Sequence, residues 1–345
     1  MPSASPFAAS EHYEPKATFR LGAVDLPEYF SDAADEYEAA TNAAALFDRS
    51  DRGLVLLSGA ERSAWLHNLV TNDVNKLAPA AGLYAFALDN RGRIQFDCNI
   101  LALPDELWID IDHEHAALAM EHLERFHISE DVALRDASAE FARLACYGPE
   151  SARVAESLGA PDPAEWTQLT QRALDSARVF RRDIGPLLGF EIILPVDEAR
   201  PWWDRLIECG ALPAGHRTLD ALRIEAGIPW FSQDLNNSVL PGETGQTERA
   251  VSFQKGCYLG QEIVERMRAY ASLARRLVRI RCDDGAELTT PCDLIRDGKS
   301  VGRITSLVAH PVKSNWIGLA YLSTRVPDLS GMRAGKPPRD IEIVP

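Results

Sequence analysis

The stretch GLVLLSGAERSAWLHNLVTND, residues 53–73, decides the fold. Its first residues are an apolar run of strand length that ends at a Ser-Gly turn. The residues after the turn have a helical period that places Trp65, Leu66, Leu69 and Val70 on one inward side. A strand followed directly by an amphipathic helix predicts helices packed on a sheet.

The sequence on either side continues this alternation in a mixed order. Residues 84–101, YAFALDNRGRIQFDCNIL, predict two strands joined by a hairpin at Asp-Asn-Arg-Gly. Strand-then-helix patterns recur at 107–126 and at 189–210, where GFEIILP precedes PWWDRLIECG. This order predicts an α+β fold rather than a doubly wound parallel sheet.

After residue 275 the helical patterns give way to short alternating runs. Asp297-Gly298 is a tight hairpin signal between two of these runs. We therefore predict a small antiparallel barrel or sandwich there. The expected division is a loose Ala-, Ser- and Pro-rich segment over 1–18, an α+β region over 19–274, and the β domain over 275–345.

Composition limits the classes of function. The 345 residues suffice for two or three domains, and a net charge of −15 makes direct binding to nucleic acid a poor expectation. The N-terminus lacks the features of a signal peptide, and no apolar run has the length of a membrane span. The six cysteines form no CxxC pair, so we expect no metal site or disulfide framework, and a cytoplasmic protein with reduced thiols.

Charged residues within apolar patterns are the first candidate site residues. Arg223 lies on the inward stripe of the helix predicted over RTLDALRIEAGIP, residues 217–229, so it needs an acidic partner or an anionic ligand. Glu191 in GFEIILP and Asp97 in GRIQFDCNIL lie within predicted strands, where a buried carboxylate needs donors. The alternatives are an internal ion pair for Arg223, and solvent-facing positions on edge strands for the two carboxylates.

The motif KGCYLGQE, residues 255–262, surrounds one thiol with glycines and polar groups. Lys255 and backbone N–H groups in a glycine-flanked turn would favour the thiolate of Cys257, whereas Glu262 opposes it. The local sequence suggests neither a redox dithiol nor a Cys–His hydrolase. An exposed or structural cysteine is the alternative. The remaining motif residues are Gly256, Tyr258, Gly260 and Gln261.

The motif resembles the signature of the YgfZ-like folate-binding proteins, which are relatives of the glycine-cleavage T-protein, an aminomethyltransferase. The resemblance extends along almost the whole chain. It is carried by AALFDRSDRGLVLLSG (44–59), LVTNDV (69–74), NRGRIQFD (90–97), LRIEAGIPWFSQDLNNSVLPGET (222–244) and GRITSLVAHPVKSNWIGLAYL (302–322).

The resemblance implies two interleaved α/β subdomains over 19–274, with a C-terminal β-barrel, around a central pocket for tetrahydrofolate or a one-carbon derivative. It places Glu191 at the pterin edge, Arg223 near the folate tail, and Asp97 and Asp112 in the folate site. The aminomethyltransferases carry a paired Asp-Asp where this chain has Phe96-Asp97, and they often carry asparagine where it has Asp112. Both departures leave the enzymatic status open.

The family role that the resemblance implies is support of iron–sulfur cluster assembly or repair, with indirect effects on tRNA modification enzymes. Cys257 and Lys255 would carry that role, and the partners would be folate and iron–sulfur client or assembly proteins. One cysteine cannot hold a cluster alone. The alternative is a tetrahydrofolate-dependent one-carbon transferase or demethylase that acts through Asp97.

Overall fold

The computed structural model describes residues 5–270, 273–285 and 288–344. No helix within these described residues is long and apolar enough to cross a membrane.

The described residues form nineteen strands and eight α-helices. The strands are β1 (Ala17–Leu21), β2 (Val24–Tyr29), β3 (Ala45–Asp48), β4 (Arg52–Ser58), β5 (Gly82–Leu88), β6 (Ile94–Ala102), β7 (Leu107–Asp112), β8 (Ala133–Asp136), β9 (Phe141–Tyr147), β10 (Gln171–Leu174), β11 (Ala177–Arg181), β12 (Gly189–Pro195), β13 (Leu212–Pro213), β14 (Arg275–Cys282), β15 (Cys292–Arg296), β16 (Lys299–Ala309), β17 (Trp316–Ser323), β18 (Met332–Ala334) and β19 (Arg339–Val344). The helices are α1 (Ala33–Asn42), α2 (Arg62–His67), α3 (Ala116–Glu124), α4 (Ser151–Ser157), α5 (Ala199–Glu208), α6 (His216–Glu225), α7 (Thr247–Ala250) and α8 (Gln261–Tyr270).

Two antiparallel sheets interleave along the chain. The five-stranded sheet has the order β5-β6-β7-β4-β8, and the six-stranded sheet has the order β10-β11-β12-β9-β3-β13, in which only β13 pairs in parallel. Strand β3 precedes the whole five-stranded sheet in sequence, whereas its sheet partners follow it. The predicted α+β fold is therefore confirmed.

Alternating strand residues build a layered core. On β4, Val55 packs with Trp65 of α2 on the outer face of the five-stranded sheet, and Leu54 points to the opposite face. There Leu54 belongs to a central cluster that includes Phe180 and Ile193 of the six-stranded sheet. The two sheets thus face each other across a common core, and helices cover their outer faces.

The C-terminal strands close a barrel in the order β14-β17-β16-β15-β18-β19, with β19 pairing back to β14. The predicted hairpin at Asp297-Gly298 is confirmed, and it joins β15 to β16. Both turn residues have positive φ, 50° and 74°, as a type I′ turn requires. The first barrel strand begins at Arg275, next to the predicted boundary at 274/275.

The N-terminal segment differs from the loose chain that its composition predicted. Phe7 is fully buried, with its ring 5.5 Å from that of Trp203 in α5. The hydroxyls of Ser5 and Tyr13 each donate to Asp48 at 2.6 Å. Two aromatic anchors and these hydrogen bonds outweigh the small, flexible residues around them, so the segment packs from Ser5 onward.

We predict that Phe7→Ala lowers the free energy of unfolding by about 3–5 kcal/mol, because it removes a fully buried aromatic ring. Urea titration measures this. The control Ile128→Ala alters a side chain that is 88% exposed and should stay within about 0.5 kcal/mol of wild type. Equal effects of the two substitutions would show that the segment is loose after all.

Candidate functional site

Arg143 connects the two sheets at the centre of the molecule. From β9, its guanidinium donates to Glu191 Oε2 of β12 at 2.8 Å and to Asp110 Oδ1 of β7 at 2.8 Å. All three side chains are at most 4% exposed. Since these ions are almost fully withdrawn from solvent, their mutual charges and hydrogen bonds must offset the cost of burial.

The carboxylate of Glu191 accepts further hydrogen bonds from side chains of the protein. Tyr147 donates its hydroxyl to Oε1 at 2.6 Å, and Arg49 approaches the same oxygen at 3.4 Å. Burial opposes the charged form of Glu191, but the arginines Arg49 and Arg143 outweigh it and lower its pKa. Its strand lies between β11 and β9, so the edge-strand alternative is wrong for Glu191.

Two aspartates of β7 share Arg52. Arg52 donates to Asp110 at 3.1 Å and also bonds Asp112. Asp110 also accepts from Asn99 at 2.6 Å, and Asn99 in turn accepts from Arg182 at 2.7 Å. A continuous chain of charged and polar groups therefore runs from the buried centre to Arg182, whose side chain is 21% exposed.

The pKa values of the two aspartates are shifted in opposite directions. Burial raises the pKa of both carboxyls, but Arg143 and Arg52 more than offset it at Asp110 and hold its pKa well below the usual range. At Asp112 the attraction of Arg52 is insufficient, and the negative charges of Asp97 and Asp51 add to burial, which raises its pKa to about 7. A carboxyl that titrates near neutrality can hold or release a proton.

Asp97 lies on the same face of the five-stranded sheet as this chain of groups. It accepts the hydroxyl of Tyr84 at 2.8 Å from the neighbouring strand. The guanidinium of Arg249 lies 4.0 Å from the centre of the Tyr84 ring. Strand β6 is an interior strand, so Asp97 does not occupy the edge position that was its alternative.

A cavity of about 480 Å³ is lined by Tyr84, whose hydroxyl bonds Asp97, although Asp97 is not itself a lining residue. Tyr84, Arg182 and Arg249 form its polar wall, and Leu83 and Ile228 are among its apolar lining residues. Burial lowers the pKa of Arg249 without discharging it. Arg249 donates to Gln246 at 2.6 Å and has no carboxylate within ion-pair distance among the described residues. The cavity thus offers cationic donors along one wall.

Arg223 lies apart from this cavity, in an internal ion pair. Its guanidinium bonds Asp220 of the same helix at 2.7 Å and Asp234 at 2.5 Å, and it donates to Ser306 of the barrel at 2.9 Å. It is 1% exposed. Arg223 therefore forms the internal ion pair that was one of its two alternatives from the sequence. Contact between Arg223 and a folate tail stays a prediction.

The KGCYLGQE motif forms a turn that leads into α8. The ammonium group of Lys255 donates to the carbonyls of His67, Val70 and Asn72 at the end of α2. Burial lowers the pKa of Lys255 to about 8. Tyr258 is buried in the central core, whereas Cys257 is exposed. The lysine and the tyrosine anchor a turn that leaves the thiol at the surface.

Gly260 explains why the motif contains a second glycine. Its φ is +82°, and a Cβ there would come within 2.7 Å of the Asp89 carbonyl oxygen. The turn therefore packs directly on the hairpin between β5 and β6. Gln261 and Glu262 are the first two residues of α8, so the turn ends where they begin.

The structure adds a histidine that local sequence did not reveal. A Cβ on Gly256 would lie 4.0 Å from His67 Nε2, so the imidazole borders the turn that carries Cys257. The other ring nitrogen lies 3.3 Å from Asp73 Oδ1. Because 189 positions separate His67 from Gly256 in the chain, spacing gave no signal of this neighbour.

The predicted site residues thus fall into separate places. Asp97 and Asp112 share one sheet face with the buried centre around Glu191, whereas Cys257 and Lys255 belong to the surface turn. Three further groups of residues were not found from the sequence, namely the network members Arg49, Arg52, Asp110, Arg143 and Tyr147, the cavity residues Tyr84, Arg182 and Arg249, and His67. Among the described residues, no cluster of three or more His, Cys, Asp or Glu side chains could hold a metal ion.

The chain belongs to the family described as the GCVT N-terminal domain, whose model matches residues 8–255. An aminomethyltransferase of Geobacillus kaustophilus is 29% identical over 324 residues, which cover 90% of this chain and 87% of that protein. One of Rubrobacter xylanophilus is 28% identical over 303 residues, covering 86% and 81%.

A solved structure has the same fold. The glycine cleavage system aminomethyltransferase T of Bartonella henselae superposes with a TM-score of 0.90, over 100% of this chain and 97% of that one. The two sequences are 17% identical, so this likeness establishes the fold alone. The T-protein fold that the resemblance implied is confirmed.

We predict that Asp112→Asn changes how stability depends on pH. A carboxyl whose folded pKa is raised stabilises the fold when protonated, and this contribution is lost as pH rises from its unfolded value of 3.8 to about 7. Relative to Asp112→Asn, the wild type should therefore lose about 1–3 kcal/mol of unfolding free energy between pH 5 and pH 8.

Urea titrations of both proteins at the two pH values measure this difference. Glu114→Gln, on the adjacent turn, is the control and should leave the wild-type pH dependence unchanged. Parallel pH profiles for wild type and Asp112→Asn would contradict the raised pKa.

Proposed function

We propose that the protein is a YgfZ-like, cytoplasmic folate-binding accessory protein that supports iron–sulfur cluster assembly or repair in other enzymes. The observation that carries this proposal is the separation of two features. A cavity lined by Tyr84, Arg182 and Arg249 lies one hydrogen bond from Asp97, and the thiol of Cys257 stands on an anchored surface turn outside the cavity lining. Effects on tRNA modification would follow from the client enzymes, not from direct contact with RNA.

The cavity suits a tetrahydrofolate. About 480 Å³ lies within the usual range for sites of organic cofactors. Leu83 and Ile228 can cover ring faces. Asp97 bonds the lining residue Tyr84, and we retain it as the predicted acceptor for pterin N–H groups. Arg182 and Arg249 can pair with the carboxylates of the glutamyl tail. We retain Glu191 as a predicted support of the pterin edge, although its oxygens are bonded within the protein.

The surface turn suits contact with another protein. All six cysteines are free, and Cys257 is the one among them that is exposed. Lys255 fixes the turn through carbonyl contacts, so the thiol is presented without the cost of ordering a flexible loop. Cys257 could touch iron transiently, with the remaining ligands from a partner or a small thiol, or form a mixed disulfide with a partner.

One observation favours a second candidate, a tetrahydrofolate-dependent one-carbon transferase. Asp112, with its pKa raised to about 7, interacts with the charge of Asp97. Such a pair can keep one carboxylate charged and one protonated near neutral pH, which suits proton transfer to or from a folate nitrogen. In that case Asp97 would be the essential residue and Cys257 would be dispensable.

We predict that Cys257→Ala keeps the folate affinity of the wild type and loses the ability to restore an iron–sulfur enzyme in cells that lack the protein. Calorimetry with tetrahydrofolate measures the affinity, and enzyme activity in those cells measures the rescue. Cys209→Ala is the matched control, because it removes a half-buried thiol outside the motif and should behave as wild type.

Asp97→Asn separates the two candidates. If it abolishes one-carbon transfer by the purified protein while Cys257→Ala does not, the transferase is correct and the accessory role is wrong. Absence of saturable tetrahydrofolate binding by the wild type would overturn both.

A further inference from the structure

A second polar cavity, of about 610 Å³, lies between the barrel and the chain that follows α6. Its lining comes from barrel residues of β14, β16 and β17, from the loop over residues 232–239, from Arg217 and Asp220 of α6, and from Thr290 and Pro291. None of its lining residues lines the cavity beside Asp97. The two cavities are therefore separate places in the fold.

Tyr321 is a buried residue with an unused hydroxyl in this second cavity. The side chain is 3% exposed, and its hydroxyl oxygen is buried without a hydrogen-bond partner. The guanidinium of Arg275 lies 4.6 Å from the centre of its ring. A buried hydroxyl that bonds nothing costs free energy, so a ligand that supplies an acceptor at this position would be stabilised.

Three arginines converge on the same cavity in a protein whose net charge is −15. Arg217 and Arg275 have the acidic partners Glu28 and Glu243, but each guanidinium has five N–H groups and keeps free donors. Arg303 has no carboxylate within ion-pair distance in the described part of the chain. It lies opposite Tyr321 in the pairing of β16 with β17, so both side chains face the cavity.

The acidic residues of this cavity do not cancel the charge of these arginines. Asp220 and Asp234 both bond Arg223, and Asp234 also accepts from Thr305 and Ser306. The negative charge of Asp220 and Asp234 is therefore largely balanced by these partners. Of the three arginines, Arg303 is the one without an ion-pair partner among the described residues, and it lines the cavity together with Tyr321, whose hydroxyl is free.

We propose that this cavity is a binding site for a small organic anion that carries a phosphate or carboxylate group. Arg303 and Arg275 pair with the anionic group through parallel N–H donors, and Tyr321 donates its hydroxyl to a ligand oxygen. The side chains of Asn236 and Ser238 on the facing loop can bond hydroxyl groups of the ligand. This site is additional to the proposed folate site and does not depend on it.

Calorimetry on the full chain tests the site with three probes, namely inorganic phosphate, citrate and ribose 5-phosphate. We expect saturable binding of at least one probe at millimolar concentration or below. Binding of citrate alone identifies carboxylates, and binding of the two phosphate probes alone identifies phosphates. No saturable binding of any probe would overturn the proposal and leave a water-filled cavity.

Two variants locate the binding. Arg303→Gln should weaken the probe by about tenfold or more, since it removes the unpaired charge from an exposed side chain. Tyr321→Phe should weaken it by about three- to tenfold, yet leave the melting temperature of the free protein unchanged or higher, because the lost hydroxyl had no partner. The control Arg276→Gln removes a neighbouring surface charge outside the cavity and should bind as wild type.

Unchanged affinity in Arg303→Gln, or equal weakening in Arg276→Gln, would contradict the assignment. A lower melting temperature of free Tyr321→Phe would show that the hydroxyl has a structural role instead. The affinity of the probe should also be the same with and without tetrahydrofolate. Displacement of the probe by the folate would show that the cavity is part of the folate site and would overturn its independence.

Discussion

Arg143 joins the two sheets by bonding Glu191 on its own sheet and Asp110 on the other, and all three side chains are buried. Removal of one member would leave the others as buried, unpaired ions, which is far more costly than loss of a surface ion pair. The same contacts fix the spacing of the sheets and hold Asp110 charged. They thereby leave Asp112 as the carboxyl that titrates near neutrality.

The remaining architecture follows from this centre. The polar chain from Asp110 through Asn99 to Arg182 carries the network to the wall of the cavity beside Asp97. Arg223 is a second buried arginine of this kind at the barrel, where it links α6 to Asp234 and Ser306. The thiol turn depends on neither network, because Lys255 anchors it to the end of α2. The ligand cavity and the turn that carries the thiol can therefore vary independently of each other.

Local periodicity was sufficient to predict the α+β class and individual turns, whereas the interleaved subdomains and the closed barrel were implied by the family resemblance. The hairpin at residues 89–92, the turn at 297–298 and the inward side of 65–70 are confirmed because neighbouring residues determine them. The partners of buried charges were not predictable in this way. Glu191 and Asp97 were correctly singled out as unusual, yet Arg143 lies 48 positions before Glu191, and only the folded sheets bring them together. The packing of the N-terminal segment was not predicted for the same reason, because Phe7 contacts Trp203, which is distant in the sequence.

The most direct test of this account is a crystal structure of the protein grown with 5-formyltetrahydrofolate. We expect ligand density in the cavity of Tyr84, Arg182 and Arg249, with the pterin at Asp97, the tail at the two arginines, and Cys257 exposed to solvent. Density in which the folate reaches Cys257 or occupies the cavity of Tyr321 would contradict the separation of cofactor and thiol on which the proposed function depends.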